Sequence, residues 1–273
     1  MEQLVEQRGD PEGYGQKHRH AREKDGSPEE DDRPLGREDG EGHRAQRRRT
    51  DVGGDPASRE SAYAESRWPM AGAVAAAMVL TLLLPDDFRL APRWMLPIVE
   101  GLLLLTLIAA DPGRINRRSA ALRAVSVTLI GVLAISAIWS TIQLIDDLIH
   151  GGTKTSSASA LLQAGGSVWA STVLAFSLLY FELDGGGAAA RAHQMPASPQ
   201  LAFPQQLNPD LSGSHWRPRY IDYLYLGLTN SMAFSPTDVM PLAPWAKIVM
   251  GIQSLISLVI LGLVVARAVN VLA

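Results

Sequence analysis

The residues that could do chemistry in this chain sit where apolar residues surround them. Glu100 is the sole acidic residue well inside an apolar run, Trp94 to Ala110. A carboxylate there is costly, and its two readings are a proton carrier or cation ligand in a protein interior, or a side chain that snorkels to the interface beside Arg93 and Trp94. A second set lies between residues 220 and 241: Asp222, Tyr225, Thr229, Asn230, Ser231, Ser235, Thr237 and Asp238. Polar side chains spaced through such a segment read as the lining of a wet path, and hydrogen bonds between helices explain them equally well. Asp146, Asp147 and His150 cluster at the end of another run, where they collect cations or simply cap a helix in solvent. No nucleophile elbow, zincin helix, calcium loop or dinucleotide glycine motif is present, so no enzyme activity and no cofactor are expected. Gly151-Gly152-Thr153-Lys154-Thr155 lacks the glycine directly before lysine that a phosphate loop requires.

These residues need a framework, and composition supplies it. The 273 residues have a net charge of −3 and contain no cysteine, which excludes disulfides, thiolate nucleophiles, Cys-based zinc sites and iron–sulfur clusters. No metal site is expected, since His18, His20 and His43 lack a framework. Mean hydropathy is close to zero, but that average joins two unlike parts. Of the 28 acidic residues, 17 fall in residues 1–67, with 13 of the 25 lysines and arginines. Residues 1–67 have no apolar period and read as a disordered, charged tail whose removal leaves the body folded. Neither part carries the basic excess of a nucleic-acid-binding protein.

The body is a series of apolar runs: Trp68 to Leu84, Trp94 to Ala110, Ala124 to Ile145, Ala158 to Phe181 and Ile248 to Ala266. A bilayer core of ~30 Å takes about 20 helical residues, with ~17 as a lower limit, so all five read as spans. Runs one to four form a transmembrane region over 68–181, and Gly185-Gly186-Gly187 with several prolines makes 182–219 a flexible loop. Residues 220–241 are apolar for about ten positions and then polar, so they either re-enter the membrane or form a sixth helix. The expected fold is an all-α integral membrane protein of five to six transmembrane helices, including a pore-loop-like segment. Its partner is the lipid bilayer, and no nucleic acid is involved.

Arginines orient the spans. Arg114, Arg117, Arg118 and Arg123 place the second loop in the cytoplasm, and Arg191, Arg217 and Arg219 return the chain there. The N-terminus is then cytoplasmic, in the cell (inner) membrane, and the loop carrying Lys154 is external.

Tyr220-Ile-Asp222-Tyr-Leu224-Tyr225, Thr229, Asp238, Pro241 and Lys247 follow in an order similar to the pore module of two-helix potassium channels. The resemblance covers about fifty residues of the chain. It implies an ion-channel-like or transporter-like pore, and by the same resemblance a homo-oligomer. The filter glycines of that family are missing: Ala233-Phe234-Ser235-Pro236-Thr237 stands in their place, so the carbonyl cage of a potassium filter is not carried over. The same segment, with Glu182-Leu-Asp184-Gly185-Gly186-Gly187 before it, also resembles a family of bacterial multi-pass membrane proteins with no assigned activity. The alternative to a pore is a structural or interaction membrane protein that conducts nothing.

The arginine pattern makes a direct prediction. Single cysteines at Thr153 and Ser214 are labelled by a membrane-impermeant maleimide from opposite sides, Thr153 from outside and Ser214 from inside. Labelling of both from one side contradicts the threading.

Overall fold

A computed structural model describes residues 65–115, 119–193, 198–213, 216–232 and 238–272. All of them belong to one compact unit, Gly54–Ala273. The expected tail lies outside the described residues up to residue 64, as do Ser235 and Thr237.

Local chemistry accounts for the helix ends. Helix α1, Trp68–Leu83, starts with Pro69 in its first turn, where the missing N–H costs nothing. It stops before Pro85, which forces Leu84 into an extended conformation. Helix α2 is Met95–Ala110. Helix α3, Ala120–His150, ends on Gly151 in the left-handed conformation at φ 68°. Helix α4, Ala158–Leu183, is capped by the Ser157 hydroxyl, which accepts from the Ala160 N–H at 3.3 Å. Short helices α5 (Ala188–His193), α6 (Pro204–Leu207) and α7 (Pro209–Ser212) follow, then α8 (Tyr220–Ser231) and α9 (Pro244–Leu272). Two small antiparallel ladders complete the fold: β1 (Glu65–Ser66) with β2 (Arg114–Ile115), and β3 (Leu201–Ala202) with β4 (Met240–Pro241).

Helices α3, α4 and α9 are long and apolar enough to cross a membrane. Helices α1 and α2 have 16 residues each, roughly 24 Å of rise, short of the ~30 Å of a bilayer core. That falls short of the expectation that all five apolar runs are long enough to span. Pro85 and the turn Asp86–Phe88 end α1 early, and Trp94 is only the N-cap of α2.

Helix α4 is the axis. Of its apolar window 72% is buried, against 28% for α3 and 22% for α9, and α1, α3, α8 and α9 all pack on it. Gly165 lets α9 approach closely, since a Cβ there would lie 2.9 Å from Val264 Cγ2. With Gly165 against Val264 and Tyr180 bonded to Gln253, α4 and α9 run antiparallel.

The two ends of the bundle differ. At one, hereafter the arginine end, β1 pairs with β2, the Glu65 carboxylate accepts from the Tyr220 N–H, and Gly185 N donates to Gln200 Oε1. At the far end Lys154 pairs with Asp87 at 3.1 Å, and Arg267 of α9 reaches the Gly152 carbonyl at 3.5 Å. Helix α8 starts at the arginine end. The chain is back there at β4, where Leu242 N also donates to Gln200 O at 2.9 Å. Residues 220–241 therefore enter and leave by the same end. Helix α9 then carries the chain from that end to the far end.

Two boundaries move. The body begins before residue 68: Glu65 and Ser66 form β1, and buried Arg67 pairs with Asp111 at 3.0 Å. The stretch 182–219, expected as a loop, carries α5, β3, α6 and α7, with Leu201, Ala202 and Phe203 in the core. These changes yield a test. A chain lacking residues 1–64 keeps the thermal transition of the full chain, whereas Arg67→Ala loses about 3 kcal/mol because it breaks a buried ion pair. Equal stability of Arg67→Ala and the parent in denaturant titrations contradicts the revised boundary.

Candidate functional site

Helix α8 is pulled into the bundle by small residues. A Cβ on Gly227 would meet the Val173 carbonyl at 3.1 Å and Ser177 Cβ at 3.2 Å, so glycine allows α8 to lie against α4. Ser177 Oγ and Tyr220 OH share a hydrogen bond of 2.9 Å along the same contact.

At the deep end of α8 a buried polar cluster joins three helices. The Asn230 amide donates to Gln253 Oε1 at 2.8 Å and to the Met250 carbonyl at 2.9 Å. Tyr180 OH donates to the same Gln253 oxygen at 2.6 Å. The Gln253 amide donates in turn to Gly227 O at 2.8 Å and Ser231 Oγ at 2.7 Å. Ser254 Oγ donates to Asn230 Oδ1 at 3.1 Å. A primary amide has two N–H donors and a carbonyl acceptor, and every one of these on Gln253 is used. Gln253 and Ser231 are fully buried.

The expected site residues divide accordingly. Asn230 and Ser231 meet in this cluster, and Thr229 bonds back to Tyr225 O at 2.9 Å within its own helix. Tyr225 is 54% exposed on the outer face. Asp222 caps α8 by accepting from Arg219 N at 2.7 Å. Asp238 is exposed, next to the undescribed positions of Ser235 and Thr237. Glu100 stands apart: it is fully buried, and neither carboxyl oxygen has a hydrogen-bond partner among the described residues. Asp146 and His150 form a pair in which both side chains are mostly exposed, and Asp147 accepts from Thr155 at 2.6 Å as a helix-end cap. Among the described residues no group of three or more His, Cys, Asp or Glu could hold a metal ion.

Sequence reading missed Tyr180, Gln253 and Ser254, because it searched spans for charge and these are neutral. It also used Arg191, Arg217 and Arg219 only to orient the spans and missed the contacts they make. At the arginine end Arg191 is buried, donates from Nη1 to the Phe181 carbonyl at 2.7 Å and to the Asp184 carbonyl, and stacks on Phe181 and Tyr223 at 4.9 and 5.0 Å. Tyr223 OH donates to Asp184 Oδ2. Two cavities flank this core. One, of about 390 Å³, is lined by Arg67, Asp111, Arg123, Ser126 and Glu182 together with Gly185–Gly187. The other, of about 470 Å³, is lined by Glu65, Arg191, Trp216, Arg217, Arg219 and Asp222.

No known family, curated protein or solved structure matches this chain. The site's chemistry therefore rests on its own geometry.

Two measurements follow from that geometry. Gln253→Ala removes the partner of the Tyr180 and Ser231 hydroxyls and one of the Asn230 amide bonds, and lowers stability by about 2 kcal/mol or more. Combined with Asn230→Ala, it shows a coupling energy near 1 kcal/mol in a double-mutant cycle; strictly additive losses contradict a shared cluster. The second concerns Glu65, whose carboxyl burial pushes up from 4.5 to about 7, against the pull of the Tyr220 N–H, Arg191 and Arg219. Its folded value lies above the unfolded one, so its stabilisation is fully present below about 4.5 and is lost as pH rises through about 7. Stability falls across that interval, and Glu65→Gln flattens the slope. A slope of opposite sign, or one unchanged in Glu65→Gln, contradicts the assignment.

Proposed function

We propose that the chain is a multi-pass protein of the cell (inner) membrane, with its arginine end in the cytoplasm, that serves as a structural or interaction protein and conducts nothing through the protomer. The membrane part of this reading is supported by α3, α4 and α9 and by an apolar outer surface. Leu102, Leu105, Ile135, Ile142, Leu255 and Val265 are each more than half exposed, a surface suited to lipid and costly in water. The side assignment is supported by Arg123, Arg191, Arg217 and Arg219, which all fall at one end.

One observation carries the functional part. The deep polar side chains of α8 are bonded to α4 and α9 rather than left facing a path. A wet path needs polar groups that water can reach, and these are committed to each other.

A second reading, a pore between copies of the chain, is favoured by the order of elements. A half-helix that enters and leaves by one end, placed between α4 and α9, is how the module of two-helix channels is arranged. In that reading the path runs along the outer face of α8, where Ile221, Tyr225 and Met232 are exposed.

Flux in proteoliposomes decides between them. Our reading predicts potassium, sodium and proton leak no greater than in protein-free liposomes, and a cysteine at Ser235 that reacts from neither side. Flux that Asn230→Ala or Asp238→Asn abolishes, with a reactive Ser235→Cys, overturns it in favour of the pore.

A further inference from the structure

We propose that the cleft of about 470 Å³ at the arginine end binds a phosphate-bearing anion, supplied as the headgroup of an anionic phospholipid. The lipid source rests on the membrane reading above; the phosphate chemistry does not.

The cleft is lined by three guanidinium groups, Arg191, Arg217 and Arg219, and two carboxyl groups, Glu65 and Asp222. One oxygen of each carboxyl group accepts from a main-chain donor, and their charges offset part of the arginines' charge. Glu65 accepts from Tyr220 N and Asp222 accepts from Arg219 N, so together they cap the start of α8. The guanidinium donors are not all occupied in the same way. Arg191 is 4% exposed, its Nη1 serves two carbonyls, and its Nη2 finds no acceptor among the described residues. A buried charged donor without an acceptor is expensive, and an anion in the adjoining cleft would supply one. Arg217 holds the wall in shape, its Nη1 donating to the carbonyls of Arg191 at 2.6 Å and Ala192 at 3.1 Å. Arg219 is exposed at the mouth.

Phosphate fits this donor set better than a generic anion does. Guanidinium groups pair well with phosphate oxygens, and three of them line one cleft, Arg191 with its Nη2 still to be matched. The rim suits a lipid, with Trp216 half-buried and Ile221 60% exposed beside the arginines. An indole at headgroup level and an apolar neighbour for an acyl chain are what a membrane interface provides, and basic pockets between helices on the cytoplasmic side are where anionic headgroups settle.

Native mass spectrometry of the full chain, released from detergent after addition of phosphatidylglycerol or phosphatidylcholine, tests this, with inorganic phosphate titrated in parallel by microscale thermophoresis. Phosphatidylglycerol should be retained in preference to phosphatidylcholine, with about fivefold weaker binding in Arg219→Gln and none in the Arg217→Gln/Arg219→Gln double variant. Arg219 is exposed, so its variant is expected to keep the parent's thermal transition and reports on binding alone. If inorganic phosphate binds as tightly as the lipid and is lost in the same variants, the phosphate site stands and its ligand is a soluble phosphate. Retention of neither, or retention unchanged in Arg219→Gln and the double variant, overturns the proposal. Alkaline carbonate extraction separates the two claims: a chain that washes off membranes yet binds phosphate refutes the membrane reading and leaves this site intact.

Discussion

A polar side chain buried among apolar helices has no water to turn to, so it must find a partner inside the fold. In this protein that constraint falls on Gln253. Its single side chain serves Tyr180 of α4 and Asn230, Ser231 and Gly227 of α8. Without it, the Ser231 hydroxyl and the Tyr180 hydroxyl would lose the partner they share, and Asn230 would be held by the Met250 carbonyl and Ser254. A helix leaves its final carbonyls without intrahelical donors; here Ser254 Oγ donates to Asn230 O at 3.2 Å, and Gln253 adds a donor one turn back at Gly227 O. The same residue that closes the interior thus fixes how deep α8 reaches.

The rest of the arrangement follows from α4. Glycines on facing surfaces, Gly165 towards α9 and Gly227 from α8 towards α4, bring backbones together where larger residues would hold them apart. Close approach places Tyr180 within reach of both partners. At the arginine end, Phe181, Tyr220, Tyr223 and Phe203 pack edge to face around the buried guanidinium of Arg191. The aromatic rings allow a charge to be buried there, and Arg191 in turn ties the end of α4 to the turn that follows it. Gly187, at φ 95°, belongs to the same turn: a Cβ there would lie 3.0 Å from Glu182 Oε1. The bundle is thus closed in its middle by amide hydrogen bonds and at one end by cation–aromatic stacking.

Much of this was legible in the apolar runs, because a long stretch without charge has few alternatives to a buried or membrane helix. The direction of residues 220–241 was not legible. It depends on Met240–Pro241 pairing with Leu201–Ala202, about forty residues away, and neither dipeptide carries a strand signal of its own. Asn230 and Ser231 were recognisable as polar residues in a buried segment, but their partner was hidden. Gln253 is neutral, so a search for charges within spans passes over it. Glu65 to Arg67 were hidden for another reason: their local composition is that of the charged tail, and residues distant in sequence, Asp111, Gly113, Arg114, Ile115 and Tyr220, draw them into the body. Glu100 was visible as an anomaly, and its burial without a partner among the described residues leaves it one.

The central claim is that Gln253 closes a dry interior around the end of α8. Side-chain amide NMR on the full chain in lipid nanodiscs, with Asn and Gln amides labelled, reads that state directly. The account predicts that the Gln253 and Asn230 amide protons exchange slowly with deuterated solvent and that the Gln253 pair shows contacts to the Tyr180 ring. Rapid exchange at both amides, with no contact to Tyr180, would mean that water reaches the cluster and that the interior is open.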